Sequence, residues 1–182
     1  MRKLNQSGTA VYYLLGNHDY WVRDLVKSHP SLFHLASEDA ASDGILDRAD
    51  QTIELEGKKV YIAHGDEIDR SLLTTLSRTI LRNQHSPLVY FLLHPKLGLA
   101  YSRWFEKIAR NLAGSMGITA KFEEFAAQKI KQGYDIVVLG HIHKPSFLPI
   151  ESGFYLNTGN WIDNYSYVVI EDSRPRLEKF IE

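Results

Sequence analysis

Three apolar, β-prone runs in this chain each give way to a polar cluster containing glycine and histidine, and this repeat constrains the fold more than any other feature. Ala10 to Leu15 runs into Gly16-Asn17-His18-Asp19, Lys58 to Ala63 into His64-Gly65-Asp66, and Asp135 to Leu139 into Gly140-His141-Ile142-His143. Nearly continuous apolar runs of this length read as strands buried on both faces of a sheet. Open α/β sheets build their sites where strand ends converge, so the three clusters are expected at one edge.

Around these strands the pattern is mixed. Tyr20 to His29 reads as a helix stopped by Pro30, and Thr52 to Glu56 reads as a strand joined to Lys58–Ala63 at Gly57. From Ile68 to Gln132 the periodicity becomes helical, with turn signals at His85-Ser86-Pro87, His94-Pro95 and Gly114 to Gly117. This predicts a helical insert or cap over about 68–132. Strands then resume, with Phe147 to Ile150, Phe154 to Asn157, Tyr165 to Glu171 and Leu177 to Ile181 following Asp135–Leu139. The start, Arg2 to Gly8, reads as the last turn of a helix with Gly8 as its C-cap, so the sequence is expected to begin in mid-fold.

Composition narrows the chemistry. With 21 basic and 22 acidic residues the formal charge is −1, which gives no global field to attract nucleic acid, so an anionic partner must be held by a local cluster. The absence of cysteine excludes a disulfide framework, a thiolate metal site and a cysteine nucleophile. No stretch reads as a signal peptide or a membrane span, which leaves a soluble protein or one lying on a membrane surface.

The eight histidines are therefore the place to look. His141 and His143 stand at i and i+2, which points both rings to one face if the strand continues, and Gly140 before them permits close backbone approach. Neutral imidazoles suit first-row transition metals. Gly16-Asn17-His18-Asp19 offers an amide oxygen for a hard cation, a histidine that can move a proton and a carboxylate that can orient it. Taken alone, Gly140-His141-Ile142-His143 reads better as two unrelated histidines in a turn and His64 as a satisfied core histidine, and Gly16-Asn17-His18-Asp19 is compatible with a strand-ending turn. His29, His34, His85 and His94 lie beside prolines, serines or helix ends and are assigned to surface, capping or turn roles.

Taken together and in this order, Gly-Asn-His-Asp, His-Gly-Asp and Gly-His-x-His resemble the motifs of the calcineurin-like metallophosphoesterase superfamily over essentially the whole chain. The resemblance implies an α/β fold, a four-layer α/β/β/α sandwich here lacking its first strands, in a single domain with the helical insert as a cap. It further implies two divalent metal ions, with manganese the expected metal. Asn17, His64 and His141 would ligate one ion and His143 the other, and His18, paired with Asp19, would be the proton donor. The family pattern also has an earlier Asp-x-His and Gly-Asp-x-x-Asp, which supply ligands to the first metal and a carboxylate bridging both. Neither motif occurs in this sequence, and no Asp or Glu precedes Asp19. The ligand set expected of this chain is therefore incomplete, and two explanations stand: a sequence that starts at an internal methionine, or a non-catalytic remnant that binds an anion or a single metal.

Within the superfamily, Ser77 to Asn83, Leu93-His94-Pro95-Lys96-Leu97-Gly98 and Asn157-Thr158-Gly159-Asn160-Trp161 resemble the UDP-2,3-diacylglucosamine diphosphatases of bacterial lipid A synthesis. That likeness implies hydrolysis at the α-phosphorus of an anionic, lipid-linked nucleotide sugar, giving UMP and an acylated sugar 1-phosphate. It implies a cytoplasmic location, peripheral on the inner membrane. Leu88, Tyr90, Phe91, Trp104 and Phe105 would line a groove for acyl chains, and Arg82 and Asn83 would contact substrate, although each is equally compatible with an amphipathic layer packed on the core. The diphosphatases carry Arg where this chain has His18, which leaves another phosphatase or phosphodiesterase as the alternative substrate class.

Overall fold

The run Ile136-Val137-Val138-Leu139 has no polar side chain to offer solvent, and it is the central strand of the sheet. The computed structural model describes residues 50–68, 117–161 and 163–180, together with Ser7, Leu14 and Gly16. Within these, seven strands and one helix follow in the order β1 (Asp50–Leu55), β2 (Lys58–Ala63), α1 (Ile118–Lys131), β3 (Ile136–Leu139), β4 (Ser146–Ile150), β5 (Gly153–Asn157), β6 (Ser166–Glu171) and β7 (Arg174–Lys179). β1 to β5 form a mixed sheet ordered β1-β2-β3-β5-β4, and β6 pairs with β7 in a separate two-stranded sheet. All four residues of β3 are buried, as a strand covered on both faces requires.

Alternation along the strands sorts the core into two layers. Tyr61, Ala63, Val137, Leu139 and Tyr155 face α1, whose Ile118, Phe122, Ala126 and Ile130 recur every four residues along one buried stripe. Val60, Ile136, Val138 and Leu156 face the other way, against Val168, Ile170 and Leu177 of the β6–β7 hairpin. Helix, sheet and hairpin thus stack as α/β/β among the described residues, and the α/β class expected from sequence is the one observed. α1 lies at the end of the stretch read as an insert and is packed into the sheet core; residues 69–116 of that stretch lie outside the described residues.

Two tight turns tie the sheets together at the edge where β2 begins. Glu56 and Gly57 both have positive φ (50° and 74°), as do Asp172 and Ser173 (51° and 60°), the pattern of two-residue hairpin turns that match strand twist. Ser173 donates from its backbone N–H to the Glu56 carboxylate and from its hydroxyl to the Glu56 carbonyl at 3.0 Å.

At the same edge Asp135 precedes β3. Its carboxylate accepts the Lys59 N–H at 2.9 Å and the Lys58 ammonium at 3.0 Å, and these two contacts, the backbone one first, hold its carboxyl below the usual carboxylate range. A lowered carboxyl pKa contributes stability that is present above the unfolded value, near 4, and is lost as pH falls through the folded value. Because both side chains are about a third or more exposed, solvent screens the pair. Asp135→Asn is expected to cost about 0.5–1 kcal/mol at neutral pH. Urea midpoints of parent and variant, measured against pH, should converge in acid.

Candidate active site

The sheet register sets the site. β2 and β3 are parallel with Ala63 level with Leu139, and β3 and β5 are parallel with Leu139 level with Asn157. Three neighbouring strands therefore release His64, Gly140 and Thr158 at one edge, the carboxyl ends of the strands, where α/β sheets carry their ligands. The ladder runs one residue past the strands: Gly140 N–H donates to the His64 carbonyl at 3.1 Å, and Thr158 N–H to the Leu139 carbonyl at 2.9 Å.

Beyond Gly140 the chain turns instead of continuing. The Ile142 N–H donates to the Gly140 carbonyl at 2.8 Å, closing a three-residue γ-turn over His141, which has φ 67°. A γ-turn of this hand is rare and strained, and a left-handed non-glycine residue of this size is uncommon. Such a backbone costs about 1–3 kcal/mol and persists only where its surroundings over-determine it, a condition met most often at functional sites.

His141 and His143 do not lie on a continuing strand, which corrects the i, i+2 expectation. β3 ends at Leu139, and both histidines have left-handed φ (67° and 54°), so strand alternation does not aim them. What the γ-turn brings together is His141 and His64, with ring centroids 5.2 Å apart and planes at 76°. On another side His141 lies parallel to the Phe122 ring of α1, 6.1 Å between centroids and 9° between planes. His143 sits half-buried on the same turn.

The tight glycine at this edge is Gly65 rather than Gly140. A Cβ on Gly140 would make ordinary contacts, the nearest being the His64 carbonyl at 3.5 Å. At Gly65, φ is +99° and a Cβ would fall 2.7 Å from Cε1 of Phe122, so the chain passes over that ring only without a side chain. Asp66 beyond it is buried, 1% exposed.

Two imidazoles in this arrangement suit a shared transition-metal ion. With metal–nitrogen bonds near 2.1 Å, the centroids of two ligating imidazoles lie at most about 6.5 Å apart, and the observed separation falls within that span. Among the described residues no group of three or more His, Asp or Glu side chains gathers around one point. Asn17, His18, Asp19, Arg82 and Asn83 lie outside the described residues; of the first cluster, Gly16 is buried and Leu14 forms an isolated β-bridge. An open cleft between β2 and α1, lined by Asp50, Tyr61, Glu67, Lys121 and Lys129, reaches Gly65, but neither imidazole lines it.

Two residues that shape this edge, Phe122 and Asn157, have no site role in the sequence reading. Phe122 is one more apolar position on the α1 stripe, and nothing in its spacing marks it as the ring beneath His141. Asn157 is fully buried, donates from Nδ2 to the Gly140 carbonyl at 2.6 Å and accepts the Gly159 N–H at 3.1 Å. Its signal was present in the sequence, since it ends a further apolar run, Phe154 to Asn157, and precedes Thr158-Gly159.

Comparison with known proteins agrees with this geometry. The family model described as calcineurin-like phosphoesterase matches residues 1–145, a span that takes in β2, β3 and both of their polar clusters. Among curated proteins, the chain is similar to a UDP-2,3-diacylglucosamine hydrolase of Pseudomonas putida strain F1, with 31% identity over 157 residues, 80% of this chain and 58% of the relative. The protein of the same name from Pseudomonas putida strain KT2440 is 30% identical over the same shares. The one from Porphyromonas gingivalis is 34% identical over 104 residues, 54% of this chain and 35% of the relative. The chain thus spans between about a third and three fifths of the length of these relatives. A match that covers most of the chain and ends just past His143, on an edge that independently pairs His64 with His141, places the chain in the calcineurin-like phosphoesterase family.

Proposed function

We propose that the chain is a metal-dependent phosphoester hydrolase that cleaves the pyrophosphate of UDP-2,3-diacylglucosamine to UMP and an acylated sugar 1-phosphate. The observation that carries the reading is the His64–His141 pair at the common edge of three parallel strands. The relatives, named UDP-2,3-diacylglucosamine hydrolases, supply the substrate class.

His64 and His141 would hold one divalent ion, with Asn17 as a further ligand and His143 reaching a second; manganese suits these nitrogen and oxygen donors. Bound there, the metal supplies charge stabilisation at the phosphoryl oxygens and a nucleophile at neutral pH. The residues of this chain do the rest. The γ-turn sets the His141 backbone before any ligand arrives, and the Phe122 ring lies parallel to its imidazole. His18, oriented by Asp19, would donate a proton to the leaving oxygen or steady charge on the phosphoryl group. Arg82 and Asn83 would contact the anionic substrate. Among the described residues no helix is long and apolar enough to cross a membrane, and a lipid-linked substrate would be met at the cytoplasmic membrane surface.

The test is product analysis. The chain is incubated with Mn2+ and the diacylated UDP-sugar, and UMP is measured. UMP release that requires Mn2+ is the expected result. Hydrolysis of bis-p-nitrophenyl phosphate without UMP release would make it another metallophosphoesterase, and hydrolysis of neither would favour the binding remnant.

A further inference from the structure

Asn157 uses both ends of its amide at the edge where His141 turns. Oδ1 accepts the Gly159 N–H and so fixes the side chain in its own loop. Nδ2 reaches across to the next strand and donates to the Gly140 carbonyl at 2.6 Å. That carbonyl is the same oxygen that closes the γ-turn by accepting the Ile142 N–H at 2.8 Å. A carbonyl oxygen has two lone pairs, and here one serves the turn and the other serves Asn157. The peptide leading into His141 is thus held from two sides, and its backbone is one that ordinary strand geometry would not supply.

We propose that Asn157 is a positioning residue, which fixes the Gly140 carbonyl and thereby holds His141 in the γ-turn that sets its imidazole beside His64. The role rests on the reading of His64 and His141 as a ligand pair. It follows the general rule that groups orienting a ligand matter nearly as much as the ligand, although here the contact acts through the backbone and not on the ring nitrogen. A side chain that merely satisfied itself in the core would have no reason to bond the one carbonyl at the root of the strained turn.

Asn157→Asp tests this, because it keeps the size and the acceptor for Gly159 but turns an oxygen toward the Gly140 oxygen. Asp135→Asn is the control, since it loosens the opposite end of β3 and touches nothing at this edge. The first readout is the imidazole NMR spectrum of the metal-free protein, with His141 assigned by its loss in His141→Gln. The second is Mn2+ affinity by calorimetry, at a temperature where each variant is folded. In Asn157→Asp the His141 ring signals should leave the position set by the Phe122 stack, and Kd for Mn2+ should rise about 10–100-fold. Both readouts should stay at the parent values in Asp135→Asn. If Asn157→Asp does not fold, Asn157→Ala removes the same bond without a charge and is read in the same way. His141 ring signals unmoved in a folded Asn157 variant would overturn the positioning role. A parent chain that binds no Mn2+ would overturn the metal reading instead, and the ring signals would still decide the role of Asn157.

Discussion

Replacing His141 by Ala is expected to slow UMP release by at least about 100-fold and to weaken Mn2+ binding in parallel, and His64→Ala should do the same. Loss of a residue that only orients a ligand typically costs 10–100-fold, so loss of a ligand itself begins at the upper end of that range. The two substitutions should not add, because each empties half of one pair and the remaining imidazole cannot close the site alone. Stability should move little by comparison. His64 and His141 lie beyond the last strand residues and are only partly buried. Steady-state UMP release and urea midpoints of both single variants and the double variant check this directly. A large loss of stability with unchanged UMP release per folded molecule would contradict it.

Phe122→Ala carries the largest expected effect on the fold, about 3–5 kcal/mol. Phe122 is 0% exposed, lies at the centre of the buried stripe of α1 and packs in the same cluster as Tyr61, Val137, Leu139 and Tyr155. The site should suffer with the core. The ring fills the space beneath Gly65 and lies parallel to His141, so its removal leaves the His141 imidazole without a wall. Phe122→Leu should recover most of the stability, since it restores apolar volume, but not the flat surface that His141 meets. Urea denaturation gives the stabilities, and the His141 ring signals report the site. A loss below about 1 kcal/mol for Phe122→Ala would mean that α1 is not docked as described.

Much of this fold was legible because buried strands announce themselves. Lys58–Ala63 was read to the residue, and β3 to within one, from unbroken apolar runs bounded by turn residues. The last strand was read too late, at Leu177 to Ile181, because Arg174-Pro175-Arg176 looks like turn chemistry. β7 nevertheless begins at Arg174, since the two-residue turn at Asp172-Ser173 fixes the register with Glu171 opposite Arg174, and an edge strand tolerates a proline. Helix α1 was visible as a helix but was grouped with the insert. Periodicity shows that one face of a helix is apolar and not which surface covers it.

The site was legible as a set of residue types and illegible as geometry. Order along the chain, with strand ends at Ala63 and Leu139, was enough to expect His64 beside the Gly140 cluster, and parallel pairing places them there. The γ-turn was not readable, because nothing in Gly-His-Ile-His marks a histidine for positive φ; the turn is closed by the bond from Ile142 to the Gly140 carbonyl, which also accepts from Asn157, 17 positions beyond Gly140. Asn17, His18, Asp19, Arg82 and Asn83 keep the roles that the family resemblance implies for them, as part of the proposal.

The edge formed by β2 and β3 is proposed as a metal site built on His64 and His141. Calorimetric titration of the purified chain with Mn2+, run beside His64→Ala and His141→Ala, tests it most directly. Saturable binding by the parent chain and a rise in Kd of at least about 100-fold in each variant are expected. Equal Mn2+ binding by all three proteins, or none by the parent, would contradict it.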